Sequence, residues 1–479
     1  MLLEMSKMRA AYGGCRRWTL WPFQSSAKLY STAAAQTCVT EMDDSLRVPN
    51  QMPDFTDHEK VFEDKSFWEL TRAFLVLKAC SFRTFNLYSH KIFDVMERNV
   101  GITLTSLLVK PFYNQFVGGV TISEIRRSIE RISVTGCGNI ILIVAEAIAK
   151  QEEARVFHAK ALEVMQDLMD ESSPHEKYMQ IRLTAFLCTP VLTELSAMTT
   201  EEREKLSHDA ADYMNSLGSS KSLQWLSSRC TSEAMLEELK EGLRLLADVG
   251  KKAKETNTVL MIDAEYISIN PAITSLALAL ALTCNTDSAV VWNTTQCYLK
   301  KSYHNIQEEF KFAKANKIHY GAKVVRGAYM VPEGEAARLG GYPSPVHDSY
   351  EDTNKSYDRI VDWLLTEISH NTGKRSVRFI LASHNKRSIQ KAILRMNDLN
   401  IKPGENKVMF GQTYGMYDYI TYALSKAGHP VVKSMAAGSV SDALPFLSRR
   451  SQENSAVIDG ANEGRQLLKL EVLRRMGIK

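Results

Sequence analysis

From Gly136 onward the sequence repeats one pattern: a short apolar run, then a longer stretch with apolar residues at helical spacing. The runs are Asn139–Ala145, Tyr178–Leu187, Val259–Glu265, Ala289–Thr294, Tyr320–Arg326, Val377–Ala382, Lys407–Phe410 and Pro430–Ser434. Helical patterns between them include Glu233–Thr256, Ser302–Asn316, Asp352–Ser369 and Lys386–Leu399. Eight strands, each followed by a helix, predict a closed (β/α)8 barrel over residues 131–479. The interval 188–258 is too long for a structureless loop and predicts inserted helices. A doubly wound sheet competes, but no strand is followed by GxGxxG: Gly136-Cys137-Gly138 continues as Asn139-Ile140-Ile141, and the P-loop spacing is missing. A dinucleotide bound here is therefore held without a Rossmann fingerprint.

Upstream of the barrel, Phe67, Leu70, Phe74, Leu77, Ile92, Val95 and Met96 recur at helical spacing and predict a helical N-terminal region over 61–130. Residues 31–60 are polar and rich in Asp, Thr and Pro, and read as a linker. Residues 1–30 set Lys7, Arg9, Arg16, Arg17 and Lys28 against the single acid Glu4, the composition of a mitochondrial transit peptide. Lys28-Leu29-Tyr30-Ser31 resembles a matrix-protease cleavage site, with Lys28 where Arg is usual. A net charge of +4, partly from this segment, gives no basic surface that argues for nucleic acid. The eight cysteines include no CxxC pair, so neither a metal site nor a disulfide scaffold is expected. The longest apolar stretch, Ile273 to Cys284, is interrupted by Thr274, Ser275 and Thr283 and is too short to span a bilayer, so any membrane contact is peripheral.

In such a barrel, chemistry sits at the C-terminal ends of the strands. Asp263 and Glu265 close the third run in MIDAEY and, two apart, face one side. Gln296 follows the fourth run. Lys323 and Arg326 lie in the fifth, three apart, so at most one points inward. His384 and Asn385 follow the sixth. Any one of these is more often a solvated rim charge or a structural ion pair than a catalytic group; several strand ends doing it together is harder to explain so. A cation inside a barrel is costly unless paired, and Asp263 and Glu265 are available partners. Near the C-terminus, FLSRRSQEN carries Arg449 and Arg450, with Glu453 at helical pairing distance from both. Bidentate arginine is the preferred grip on a carboxylate, although a surface salt bridge is the commoner meaning of an isolated RRxxE.

MIDAEY, NTTQCYL, KVVRGAYM with Glu333, SHN, GQTYGM and FLSRRSQEN occur in that order. Together they resemble the eukaryotic proline dehydrogenase family from about residue 130 onward. The resemblance implies a distorted (β/α)8 barrel with FAD held non-covalently over the strand ends. It implies hydride transfer from the amino-acid ring to flavin N5, L-proline giving 1-pyrroline-5-carboxylate, with electrons passing to ubiquinone at the inner mitochondrial membrane from a peripheral position in the matrix. Carried over by motif, Lys323 is the catalytic cation near flavin N5, and Gln296, Gly327, Ala328, Tyr329, His384 and Asn385 line the cofactor. Arg449 and Arg450 grip the substrate carboxylate, and Arg182, Thr413 and Ser434 complete the substrate site. Asp263, Glu265 and Glu453 orient the basic groups from behind.

The departures are specific. Leu142 stands where relatives often carry Asp, and IRLTAF replaces IKLTAL, so Arg182 keeps the charge but changes its geometry. Thr413 takes a position that is usually apolar, and Phe446 one that is often tyrosine. The last strand reads SMAAG for YVPYG, so Ser434 replaces a tyrosine that packs on the substrate ring, as in the family's hydroxyproline dehydrogenase branch. Room for a substituent plus a hydroxyl to bond it points to 4-hydroxy-L-proline as the alternative substrate. Loss of packing with weakened turnover is a second alternative. A lyase using Lys323 as a Schiff base is a third, which flavin absorbance separates from the others.

Overall fold

A computed structural model describes residues 51–82, 102–144, 150–168, 176–216, 225, 232–371, 373, 375–440, 442–443, 446–447, 450 and 458–478. The expected transit peptide, the linker before residue 51, Arg449 and Glu453 lie outside the described residues. Nine strands form the sheet: β1 Val117–Gly119, β2 Gly138–Ile143, β3 Lys177–Ile181, β4 Thr258–Ile262, β5 Val291–Gln296, β6 Tyr320–Val325, β7 Val377–Ala382, β8 Val408–Thr413 and β9 Val431–Ala437. Strands β2 to β9 pair in parallel, each with the next, and β9 pairs back to β2, which closes an eight-stranded barrel. Every apolar run of the sequence contributes one of these strands.

Side chains alternate across each strand, and this sorts the barrel into an inside and an outside. Ile140, Tyr178, Val259, Met261, Trp292, Ile380, Met409 and Val432 belong to one buried cluster of their own, the lower plug of the barrel. Two residues further along stand Leu142, Gln180, Ala382, Gly411 and Ser434 on the same strands and Asp263 just past the end of β4, which continue the inner face toward the C-terminal ends. The outward residues merge with the surrounding helices into the main core.

The inserted segment is helical, with Thr189–Ser196, Thr200–Asn215 and Glu233–Glu255 among its described residues. Thr199 and Glu202 form a capping box at the start of the second of these. The apolar stretch Ile273–Cys284 falls within helix Asn270–Cys284, buried along most of its length against Thr200–Asn215. No described helix is long and apolar enough to cross a membrane.

Two expectations need correcting. The region 61–130 is not wholly helical: β1 interrupts it and pairs with the end of β9, Val117 opposite Ala436 and Gly119 opposite Ala437. Its sequence, Val-Gly-Gly, is too short and too glycine-rich to show strand alternation. The polar stretch up to residue 60 is not all linker either. Phe55 is buried, helix His58–Val61 begins inside it, and His429 Nε2 lies 3.1 Å from the Gln51 carbonyl. The C-terminal helix Ile458–Arg475 packs on helix Phe67–Ala79. There the fully buried Glu471 accepts from Arg474 Nη2 at 2.8 Å and Arg475 Nε at 2.6 Å, with His58 Nδ1 at 3.1 Å.

Candidate active site

At the upper inside of the barrel, Lys323 Nζ of β6 lies 2.6 Å from Asp263 Oδ1, both groups buried. Asp263 follows the last residue of β4, and its N–H donates to the Ile181 carbonyl at 2.9 Å, so the backbone fixes it against β3. Its second oxygen accepts from Gln180 Nε2 at 2.6 Å, and Arg182 Nε stands 3.8 Å away. Gln180 Oε1 in turn accepts from Ser434 Oγ at 3.3 Å. A continuous polar chain thus crosses the barrel from β9 through β3 and β4 to β6. Glu265 accepts from Thr184 Oγ1 at 2.9 Å, and its carbonyl accepts from Gln296 Nε2 at 2.9 Å. Burial raises the Glu265 carboxyl above its usual range, against the pull of Arg182 and Thr184.

A second group gathers at the ends of β7 and β8. Thr413 Oγ1 lies 3.3 Å from His384 Nε2 and accepts from Arg450 Nη1 at 3.3 Å, while the Arg450 guanidinium sits 4.8 Å over the Phe446 ring. The His384 ring stacks on Tyr417 at 4.4 Å with 16° between planes. Burial, helped by the cations of Lys433, Arg450 and Arg326, drives the His384 pKa down to about 3, so the imidazole is neutral. Its Nδ1 is buried and has no hydrogen-bond partner among the described residues. The two groups adjoin, because Thr413 pairs with Ser434 across β8 and β9.

The loop after β8 is held from outside the barrel. Lys433, adjacent to Ser434 and pointing the opposite way, is 1% exposed. It donates to the Met416 carbonyl at 2.6 Å and lies 2.8 Å from Asp418 Oδ1. Gly415 in this loop has φ +76°, and a Cβ there would fall 1.9 Å from the carbonyl of Gln115 in helix Ile102–Phe116, so that helix can approach only a glycine.

The opposed directions expected for Lys323 and Arg326 are present. Arg326 leaves the end of β6 on the other side, donating to Asn354 Oδ1 at 2.8 Å, Ser383 Oγ at 2.6 Å and Ser388 Oγ at 2.9 Å. Gly327, at φ +116°, turns the chain where a Cβ would fall 2.0 Å from the Tyr298 ring. Tyr329 packs on Tyr266 at 4.3 Å, next to Ala328. Glu333 accepts from the Ile267 N–H at 2.7 Å, tying helix Met330–Gly340 to the loop after β4. Asn385 serves the local backbone, since its Oδ1 accepts from the Ser388 N–H at 3.1 Å and caps helix Lys386–Asp398. Gln296 ends β5 rather than following it.

Sequence reasoning missed three residues of this constellation. Gln180 was discoverable, being the one polar residue in Tyr-Met-Gln-Ile and two positions before Arg182. Tyr417 and Lys433 carried no such signal, since a lysine in an apolar strand does not show what it bonds. No cluster of three His, Cys, Asp or Glu side chains that could ligate a metal occurs among the described residues.

The chain matches the family described as Proline dehydrogenase over residues 125–463. It is 32% identical to hydroxyproline dehydrogenase of Xenopus laevis over 421 residues, 87% of this chain and 89% of that protein. It is 40% identical to mitochondrial proline dehydrogenase 1 of Homo sapiens over 254 residues, 53% of this chain and 42% of that one. In fold it resembles proline utilization A of Bdellovibrio bacteriovorus inactivated by N-propargylglycine, with TM-score 0.59 and 17% identity. That similarity covers 86% of this chain but only 40% of the longer one. Matched along most of its length in sequence, and with a barrel of the same architecture, the chain belongs to the proline dehydrogenase family of oxidoreductases.

Proposed function

We propose that the chain is an FAD-dependent dehydrogenase that oxidises 4-hydroxy-L-proline at the ring C–N bond, giving the hydroxylated pyrroline carboxylate. The observation that carries the substrate is Ser434, a small hydroxyl on the inner face of β9, bonded to Gln180 and adjoining Thr413. A bulky ring at this position would contact an unsubstituted substrate; a serine leaves room for a substituent and a polar group to meet it.

The residues at the strand ends fit a flavin. The buried Lys323 offers a cation, His384 Nδ1 is a buried polar atom lacking a partner among the described residues, and Gly327 makes a turn closed to a side chain. Bound there, FAD supplies the acceptor for the substrate hydride. Lys323, fixed by Asp263, holds positive charge where the electrons arrive. Gln296, Ala328 and Tyr329 border the same rim, and Asn385 shapes it through its cap. Arg450, steadied by Thr413 and Phe446, binds the substrate carboxylate together with Arg449, and Glu453 orients them. Fixing the carboxylate sets the ring carbon at transfer distance. Arg182 and Glu265 balance charge beside Asp263. Onward transfer to ubiquinone, from a peripheral position on the matrix side of the inner membrane, completes the reading; the mitochondrial human relative and the basic, acid-poor residues 1–30 support it.

The test is the visible absorbance of the purified protein and its anaerobic bleaching by 4-hydroxy-L-proline and L-proline side by side. Faster bleaching by the hydroxylated substrate is expected. The 40% identity to human proline dehydrogenase 1 favours L-proline as the second reading, which predicts the reverse order. A yellow protein bleached by neither is the weakened relative that Leu142, Ala436 and Ala437 suggest, and a colourless one removes the flavin reading altogether.

A further inference from the structure

The hydrogen bonds that end at Asp263 have a direction. Its carboxylate, paired with Lys323, can only accept. At 2.6 Å from Asp263 Oδ2, the Gln180 side chain must therefore present its NH2, because the flipped amide would set two oxygens against each other. This leaves Gln180 Oε1 toward Ser434, where it can only accept, so Ser434 spends its single proton on it at 3.3 Å. What Ser434 turns toward the barrel mouth is lone pairs.

We propose that Gln180 is a positioning residue that makes Ser434 an obligate acceptor, so that the pocket selects ring substituents able to donate a hydrogen bond. A ring hydroxyl satisfies it. A ring carbonyl of similar size brings acceptor against acceptor and is rejected. The ordered chain runs substrate O–H to Ser434, Ser434 to Gln180, Gln180 to Asp263, with Lys323 closing it from the other side. This inference rests on the 4-hydroxyproline reading and adds the polarity of recognition, which that reading leaves open.

The experiment measures calorimetric dissociation constants on the holoenzyme for tetrahydrofuran-2-carboxylates bearing a 4-hydroxyl or a 4-oxo group. These rings keep the carboxylate and have no amine to oxidise. The wild type should prefer the hydroxyl about tenfold, one hydrogen bond's worth with the mispaired acceptors added. Gln180→Leu frees the Ser434 proton to turn outward, so the 4-oxo ligand gains and the preference vanishes. Ser434→Ala should lose the hydroxyl preference without any gain for the 4-oxo ring. If Gln180→Leu does not retain flavin, Gln180→Met carries the same comparison. Equal binding of both ligands by the wild type, or an unchanged preference in the Gln180 variant, overturns the proposal. If 4-hydroxy-L-proline still bleaches the flavin in that case, only the proposal falls; if it does not, the functional reading falls and takes the proposal with it.

Discussion

Behind β5, on the face away from the site, Glu309 is buried and accepts from Asn293 Nδ2 at 3.0 Å. Asn293 Oδ1 and the Tyr320 hydroxyl are buried without hydrogen-bond partners among the described residues, and Tyr320 senses the Glu309 charge. Burial pushes the Glu309 pKa up to about 7, with Asn293 opposing. The folded protein thus holds this proton more tightly than the unfolded chain does. Its stabilising effect is complete below the unfolded value of 4.5 and is lost as pH rises through about 7. At about 1.4 kcal/mol per pH unit, that interval of 4.5 to about 7 amounts to about 3 kcal/mol. Glu309→Gln keeps the shape and cannot ionise. Urea unfolding of both proteins across this range, followed by tryptophan fluorescence, should show near-equal stability at the acid end and a variant more stable by about 3 kcal/mol on the alkaline side. Subtracting the two curves removes every other titrating group. A difference that stays flat with pH would refute the tighter hold of the folded protein on the Glu309 proton.

Three further outcomes follow from the geometry. Asp263→Asn removes the charge that pins Lys323, and rapid-scanning absorbance should find flavin reduction slower by on the order of a hundredfold with flavin retained. Thr413→Val removes the oxygen that steadies Arg450, so KM for the imino acid should rise about fivefold to tenfold with kcat little changed; an unchanged KM in steady-state assays contradicts the role given to Arg450. Burial alone would raise the Glu471 carboxyl, but Arg474, Arg475 and His58 hold it down at about 2. Its stabilisation is therefore present above pH 4.5 and lost toward pH 2, and Glu471→Gln should cost about 2 kcal/mol in chemical unfolding at neutral pH.

Much of the architecture was legible because apolar runs and helical spacing report burial directly. Val377–Ala382 begins and ends as expected, and the others differ at one end or both. Boundaries drifted where polar residues are buried for chemical reasons. The expected strand Tyr178–Leu187 stops at Ile181, and Leu183–Ala185 forms a 3-10 turn that delivers Thr184 to Glu265. The expected strand Ala289–Thr294 continues to Gln296, because Thr295 and Gln296 still pair with Val324 and Val325 of β6. Asp263 was visible as a charge in an apolar run. Its link through Gln180 to Ser434 was not, because contacts between residues 83 and 254 positions apart leave no periodic trace.

The strand β1 bears on where this protein can be cut. Its three residues occupy the edge of β9 beyond the end of β8, with the Gly438 N–H donating to the Gly119 carbonyl at 3.0 Å. The stretch that matches the family starts at residue 125 and stops at 463, inside the C-terminal helix. A fragment trimmed to those limits would strip the sheet of this cover, leave bare amides at the end of β9, and invite neighbouring molecules to pair there. The stretch defined by homology and the stretch that completes the sheet therefore have different ends.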